Sequence, residues 1–166
     1  AMNTVIQMAD RLRDTCESHA RCNVIEVMGR AAGDIAVQTG IACGAVATVI
    51  LEAPFDEEAM MQKIIRMRAA GQRSFLVMVA EGVENFSEGL AKRIQERTGV
   101  ETKFARLAHV VRGGAPTLRD RLLAAKMGDA AVEALFEGKS DLVICERDSK
   151  IVSMDIQFAL IMDRMY

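Results

Sequence analysis

The segment Phe75–Ala80 reads Phe-Leu-Val-Met-Val-Ala, an unbroken apolar run bounded by Ser74 and Glu81. A run of this length is far short of the roughly 20 residues that a membrane span needs. Because it is apolar at every position rather than at alternate ones, it suits a strand covered on both faces, as in a parallel sheet. Val46–Leu51 has the same near-continuous apolar form, and Cys22–Met28 reads as a further strand stopped by Gly29.

The stretches between these runs have helical spacing instead. Met2–Ser18 puts Val5, Ile6, Met8, Ala9 and Leu12 on one side. Asp34–Cys43 suits a short helix rich in small residues. Asp56 is placed to cap a helix whose buried side carries Met60, Met61, Ile64, Ile65 and Met67, with Gly71 closing it. Ser87–Arg97 is a further helix, and Glu101–Val111 holds one strand or two short ones. Pro116 fits the first turn of a long helix reaching about Glu137. Asp141–Cys145 and Ile151–Met154 form a hairpin around Arg147-Asp148-Ser149, and a last helix starts at Asp155 and runs towards the end of the chain. Strands alternating with helices predict an α/β fold with a mostly parallel sheet flanked by helices.

Bulk properties exclude some functions. The 166 residues suit one domain, and a net charge of −2 gives no basic field for nucleic acid. No run is long enough to place the chain in a membrane, and no secretory signal is visible at the amino end. Cys16, Cys22, Cys43 and Cys145 match no zinc or redox spacing and read as buried free thiols in a reducing cytoplasm.

In folds of this kind ligands sit at the carboxyl edge of the sheet. The residues just past each strand are Gly29-Arg30, Glu81-Gly82 and His109–Gly114. Arg112 offers a planar fork of donors that matches phosphate. Gly113 and Gly114 let backbone N–H groups approach an anion, and the following helix points its positive end the same way. His109 adds a donor, Arg30 another, and Glu81 is a carboxylate able to accept from sugar hydroxyls. These residues together describe a site for a small polyhydroxylated anion such as a sugar phosphate.

Longer strings carry more. Arg11-Leu12-Arg13-Asp14-Thr15, Ser18-His19-Ala20-Arg21, Val24-Ile25-Glu26-Val27-Met28-Gly29-Arg30 with Gly33-Asp34, Val79-Ala80-Glu81-Gly82, His109–Pro116, and Arg119–Met127 occur in this order along almost the whole chain. They resemble the IRDT, SHxR, VEVMGR, VAEG, GHxQRGGSP and DRxLASRMG segments of bacterial-type 6-phosphofructokinases. The resemblance implies a chain that supplies the C-terminal, sugar-phosphate-binding part of such an enzyme, which transfers a phosphoryl group to the 1-hydroxyl of fructose 6-phosphate in glycolysis. It implies that Met28, Gly29, Arg30 and Glu81 contact the sugar and that His109 and Arg112 hold its 6-phosphate. Arg30 is also implied to lie near the transferring group. Arg21 and Lys103 are implied to reach the phosphate of a neighbouring subunit, in a homo-oligomer, usually a tetramer.

The donor, ATP or pyrophosphate, and the Mg2+ that accompanies it are implied to belong to residues upstream of Ala1, as is the aspartate base. No metal ligand is expected in this chain, and it is expected to be inactive alone. The alternatives are part of a pyrophosphate-dependent enzyme, or a non-catalytic sugar-phosphate-binding or assembly module. The implied organisation is a sugar-binding domain over residues 1–111, a segment of the nucleotide-binding domain over 112–154, and a C-terminal helix over 155–166.

The chain also departs from the family pattern. Lys103 stands where arginine is usual, Val111 where glutamine is usual and Ala115 where serine is usual. Arg13 matches an effector-binding arginine and Arg73 remains from a basic run. Val46, however, replaces an acidic residue, and most of Ala70–Ser74 has lost its charge. Loss of the family's usual nucleotide control is the expectation.

Overall fold

The structure is a computed structural model that describes residues 1–83 and 85–165. It divides into two compact units, residues 1–113 and 114–166.

The first unit is built on a parallel four-stranded sheet. Helix α1 (Met2–His19) leads to β1 (Cys22–Val27), α2 (Asp34–Ala42), β2 (Ala47–Val49), α3 (Glu57–Ala69), β3 (Phe75–Ala80), α4 (Ser87–Thr98) and β4 (Thr102–Arg106). The strand order is β2-β3-β1-β4, so β1 and β3 run through the middle. Both are buried along their whole length, which is why β3 is apolar at every position. Alternate residues serve opposite layers. Val24, Phe75, Val77 and Val79 join Met60, Met61, Ile64, Leu90 and Ile94 of α3 and α4. Ile25, Val27, Leu76, Met78 and Ala80 join Val5, Ala9, Ala36 and Cys43 from the α1 and α2 side.

Local chemistry explains most boundaries. Asp56 Oδ1 accepts from Ala59 N–H at 2.9 Å and caps α3, while Gly71, one residue past the helix cap, has φ 94°. Several expectations are corrected. The Val46–Leu51 run yields only a three-residue strand, and it lies at the sheet edge, where Ala47 and Thr48 are half-buried. Ile65 is 38% exposed, against 0% for its neighbour Ile64. The Glu101–Val111 stretch is one strand followed by a 3₁₀ turn over Ala108–Arg112, not two strands.

The second unit contains α5 (Leu118–Phe136), the antiparallel pair β5 (Leu142–Arg147) and β6 (Lys150–Asp155), and α6 (Ile156–Met165). Pro116 precedes α5 rather than entering its first turn. Thr117 is the N-cap, and with Asp120 it forms a reciprocal capping box. Asp148 and Ser149, both at positive φ, make the hairpin turn. The final residue of the expected last helix, Tyr166, lies outside the described residues.

All four cysteines are free; Cys16, Cys22 and Cys43 are buried and Cys145 is half-buried. Among the described residues no helix is long and apolar enough to cross a membrane.

Candidate functional site: the two edges of the sheet

The residues named from the sequence divide between opposite edges of the sheet. At the carboxyl edge, β1 delivers Met28, Gly29 and Arg30, and its neighbour β3 delivers Glu81 and Gly82. The amide of Glu81 donates to Val27 O at 2.9 Å and that of Gly82 to Gly29 O at 3.1 Å, so the two strand ends stay paired beyond the sheet. Gly29 has φ 153°, and a Cβ there would lie 2.5 Å from the carbonyl oxygen of Ala32. At Gly82 the obstacle is packing, because a side chain would strike the backbone of Gly29 and Arg30. The loop after β1 is held at its far end as well. Gly33 N–H donates to Glu52 Oε1 at 2.6 Å, and that bond holds the Glu52 carboxyl below its usual range.

On the other side of β1, β4 delivers the turn that carries His109 and Arg112. Leu107 N–H donates to Glu26 O at 3.0 Å, extending the β1–β4 pairing by one step. Ala108 then adopts φ 45°, a left-handed conformation that an alanine takes at a cost of about 1 kcal/mol, and the chain turns back. Val111 is fully buried in the α1-side core and anchors the turn. His109 and Arg112 stay exposed. Arg112 Nε donates to the sulfur of Met28 at 3.1 Å. The ends of β1, β3 and β4 therefore bring Met28, Gly29, Arg30, Glu81, His109 and Arg112 to one edge, with the arginine laid back over the end of β1.

Arg21 and Lys103 are not there. Arg21 precedes β1, and Lys103 is the second residue of β4, opposite Asn23, both at the amino edge. At about 3.3 Å per residue, the strand places some 20 Å between the two edges. Arg21 Nε lies 2.8 Å from Glu101 Oε2, and Lys103 Nζ lies 3.0 Å from Glu101 Oε1. The adjacent Arg21 and Lys103 cations draw the Glu101 carboxyl down to about 2.

Arg13 lies elsewhere again. Its guanidinium donates to the carbonyl of Cys43, and its Nε is buried without a hydrogen-bond partner among the described residues. Val46 is 6% exposed. Its main-chain oxygen accepts from Lys63 Nζ at 2.8 Å.

Three carboxylates were not picked out from the sequence. Glu26 is buried in β1 and bonded to Arg106 Nε at 2.6 Å. The sequence signal was a charge inside an otherwise buried strand. Glu52 and Glu101 gave no such signal, since each is an exposed residue outside the helices and strands whose partner is distant in sequence or unknowable before the register. Among the described residues no cluster of three or more His, Cys, Asp or Glu is arranged to hold a metal ion.

The model of the family described as Phosphofructokinase matches residues 1–135. The chain belongs to the phosphofructokinase family. It is 45% identical over all 166 residues to the ATP-dependent 6-phosphofructokinase 1 of Clostridium perfringens (strain 13 / Type A), covering 52% of that protein. The chain thus spans about half the length of the curated relatives it matches. Among solved structures, phosphofructokinase from Saccharomyces cerevisiae superposes with a TM-score of 0.91 at 30% identity, over 98% of this chain and 24% of that one. Phosphofructokinase from Pichia pastoris in the T-state gives 0.88 at 32% identity, over 99% of this chain and 19% of that one. The parallel sheet with helices on both sides is thus the fold of this part of a phosphofructokinase.

Proposed function

We propose that this chain supplies the acceptor-sugar site of a 6-phosphofructokinase, which transfers a phosphoryl group to the 1-hydroxyl of fructose 6-phosphate. The observation that carries this reading is the meeting of three strand ends, with Arg112 bonded to Met28. It puts two cationic side chains, an imidazole and a carboxylate along one edge. His109 and Arg112 take the 6-phosphate, the arginine through its two-pronged fork. Glu81 accepts from the sugar hydroxyls, and the Met28-Gly29 backbone forms the wall against which the sugar rests. Arg30, exposed in the loop after β1, stabilises the charge on the group in flight, because such transfers are catalysed mainly by positioning and electrostatics.

Arg21 and Lys103 cannot share that task within one chain, since about 20 Å of strand intervenes. They serve the sugar phosphate of a second copy, so the working enzyme is a homo-oligomer. The donor, its Mg2+ and the base that takes the hydroxyl proton are assigned to residues outside this chain, which therefore binds sugar without turning it over. ATP is the favoured donor, supported by relatives at 43–45% identity that bear the name ATP-dependent. Residues 112–154 are read as the return of the chain to the nucleotide-binding domain, and residues 155–166 as a C-terminal helix. In support, α5 buries no residue, and Phe136 at its end is 89% exposed. Free thiols throughout support a cytoplasmic location.

The test is a titration of the chain with fructose 6-phosphate followed by amide chemical shifts. Shifts concentrated at Met28–Arg30, Glu81 and His109–Arg112, weakened in Arg112→Ala, are expected. Saturating shifts elsewhere, or equal binding by the variant, would overturn the assignment.

A further inference from the structure

The amino edge holds a feature that the sugar site does not explain. Each oxygen of Glu101 lies beside a different cation at the amino edge, Arg21 just ahead of β1 and Lys103 in β4. The main chain on either side is fixed. Cys22 N–H donates to Glu101 O at 2.9 Å and Phe75 N–H to Arg21 O at 3.1 Å. The side chains stay accessible, at 29% for Arg21, 43% for Glu101 and 58% for Lys103. Another cation, Arg73, donates through Nη2 to Ser18 O at 3.3 Å, at the end of α1.

A carboxylate and a phosphate both offer anionic oxygens to nearby cations, and here one carboxylate oxygen lies beside Arg21 and the other beside Lys103. We propose that Glu101 is a built-in stand-in for a phosphate, holding Arg21 and Lys103 convergent while competing with any phosphate that arrives there. This rests on the reading that these two cations serve a phosphate held by another copy. Glu101 is thus a positioning residue with two opposed effects. It orders the two cations across the β1–β4 boundary, and it lowers their affinity for an external anion. The incoming phosphate must displace the carboxylate, which swings away on its own side chain while the backbone stays in the sheet. Because its partners keep it ionised throughout the neutral range, the competition does not relax with ordinary changes of pH.

The test uses the 166-residue chain and inorganic phosphate, followed by amide shifts at both edges, with Glu101→Gln as the variant. The glutamine keeps size and exposure but removes the charge. A unit charge about 4 Å away in water is worth roughly a fivefold change in affinity. Binding read at Cys22, Thr102 and Lys103 should therefore tighten about fivefold in Glu101→Gln, with a steeper salt dependence. Arg21→Ala in the same background should abolish the gain. A role confined to stability predicts no gain at all. Equal or weaker amino-edge binding in Glu101→Gln, or no phosphate-dependent shift there in either protein, overturns the proposal. Failure of the sugar site would show separately, as absent shifts at His109 and Arg112 with the amino-edge gain intact.

Discussion

Arg112 Nε donates to the sulfur of Met28 at 3.1 Å, joining residues that lie 84 positions apart. A thioether is a weak and uncharged acceptor. It steers the guanidinium over the end of β1 and leaves its charge unneutralised for an anion. Arg112→Lys keeps the charge but loses both the fork and the link to Met28. The expected result is about tenfold weaker binding of fructose 6-phosphate, the value of one charge-assisted hydrogen bond. Met28→Leu keeps the bulk and should weaken binding by less. Calorimetric titration of the three proteins checks the ranking, and an Arg112→Lys protein that binds like the original contradicts it.

Gly29 makes the turn from β1 into the Arg30 loop. Alanine there meets two obstacles, a backbone at φ 153° and a carbonyl oxygen 2.5 Å from the new Cβ. The neighbour is main chain held by the Gly33–Glu52 bond, so it cannot step aside cheaply. Gly29→Ala should destabilise the fold by about 2 kcal/mol or more. Urea unfolding followed by circular dichroism measures it.

The sequence revealed the central strands because burial on both faces leaves no room for polar residues, as Phe75–Ala80 shows. It was less informative wherever tertiary context decides. Val46–Leu51 is nearly as apolar, yet only Ala47–Val49 pairs, because this strand has a neighbour on one side only. The placement of Arg112, His109 and Glu81 at the carboxyl edge was legible because they follow strands. The partition of Arg21 and Lys103 to the far edge depends on strand register, and the Glu101 clamp depends on the β1–β4 pairing, neither of which composition encodes. Ile64 and Ile65 put this to a direct test. Helical spacing admits both to the buried side of α3, but Ile64 is fully buried and Ile65 is 38% exposed. Ile64→Ala should cost about 2–5 kcal/mol, and Ile65→Ala about 1 kcal/mol or less. Similar losses in denaturant unfolding would refute the burial difference.

Cys22 begins β1 with no exposed surface. Burial first, and then the neighbouring Cys16, push its thiol up to about 12 from 9.0, against a lowering by Thr102. The fold thus favours the neutral thiol. Its contribution to stability is complete below pH 9 and is lost as pH rises from 9 towards 12. Alkylation of the native chain at pH 8.5 should label Cys145 first and leave Cys22 unmodified. The decline in stability between pH 9 and 11 should be shallower in Cys22→Ala. Mass spectrometry and denaturant unfolding at the two pH values read these outcomes.

Glu101 gives the opposite sign at the acid end. Its carboxyl is lowered from 4.5 to about 2, chiefly by Arg21 and then by Lys103, whose nitrogens lie 2.8 Å and 3.0 Å from its oxygens. The folded state therefore releases this proton more readily than the unfolded chain does. The contribution is present in full above pH 4.5 and disappears as pH falls through 2. Both partners are accessible to solvent, so salt should weaken the effect. In Glu101→Gln, stability measured from pH 5 to pH 2 should fall less steeply than in the original protein, and the difference between the two should narrow in 0.5 M NaCl. Parallel curves at low salt would show that the carboxylate gains nothing from its two cations when the chain folds.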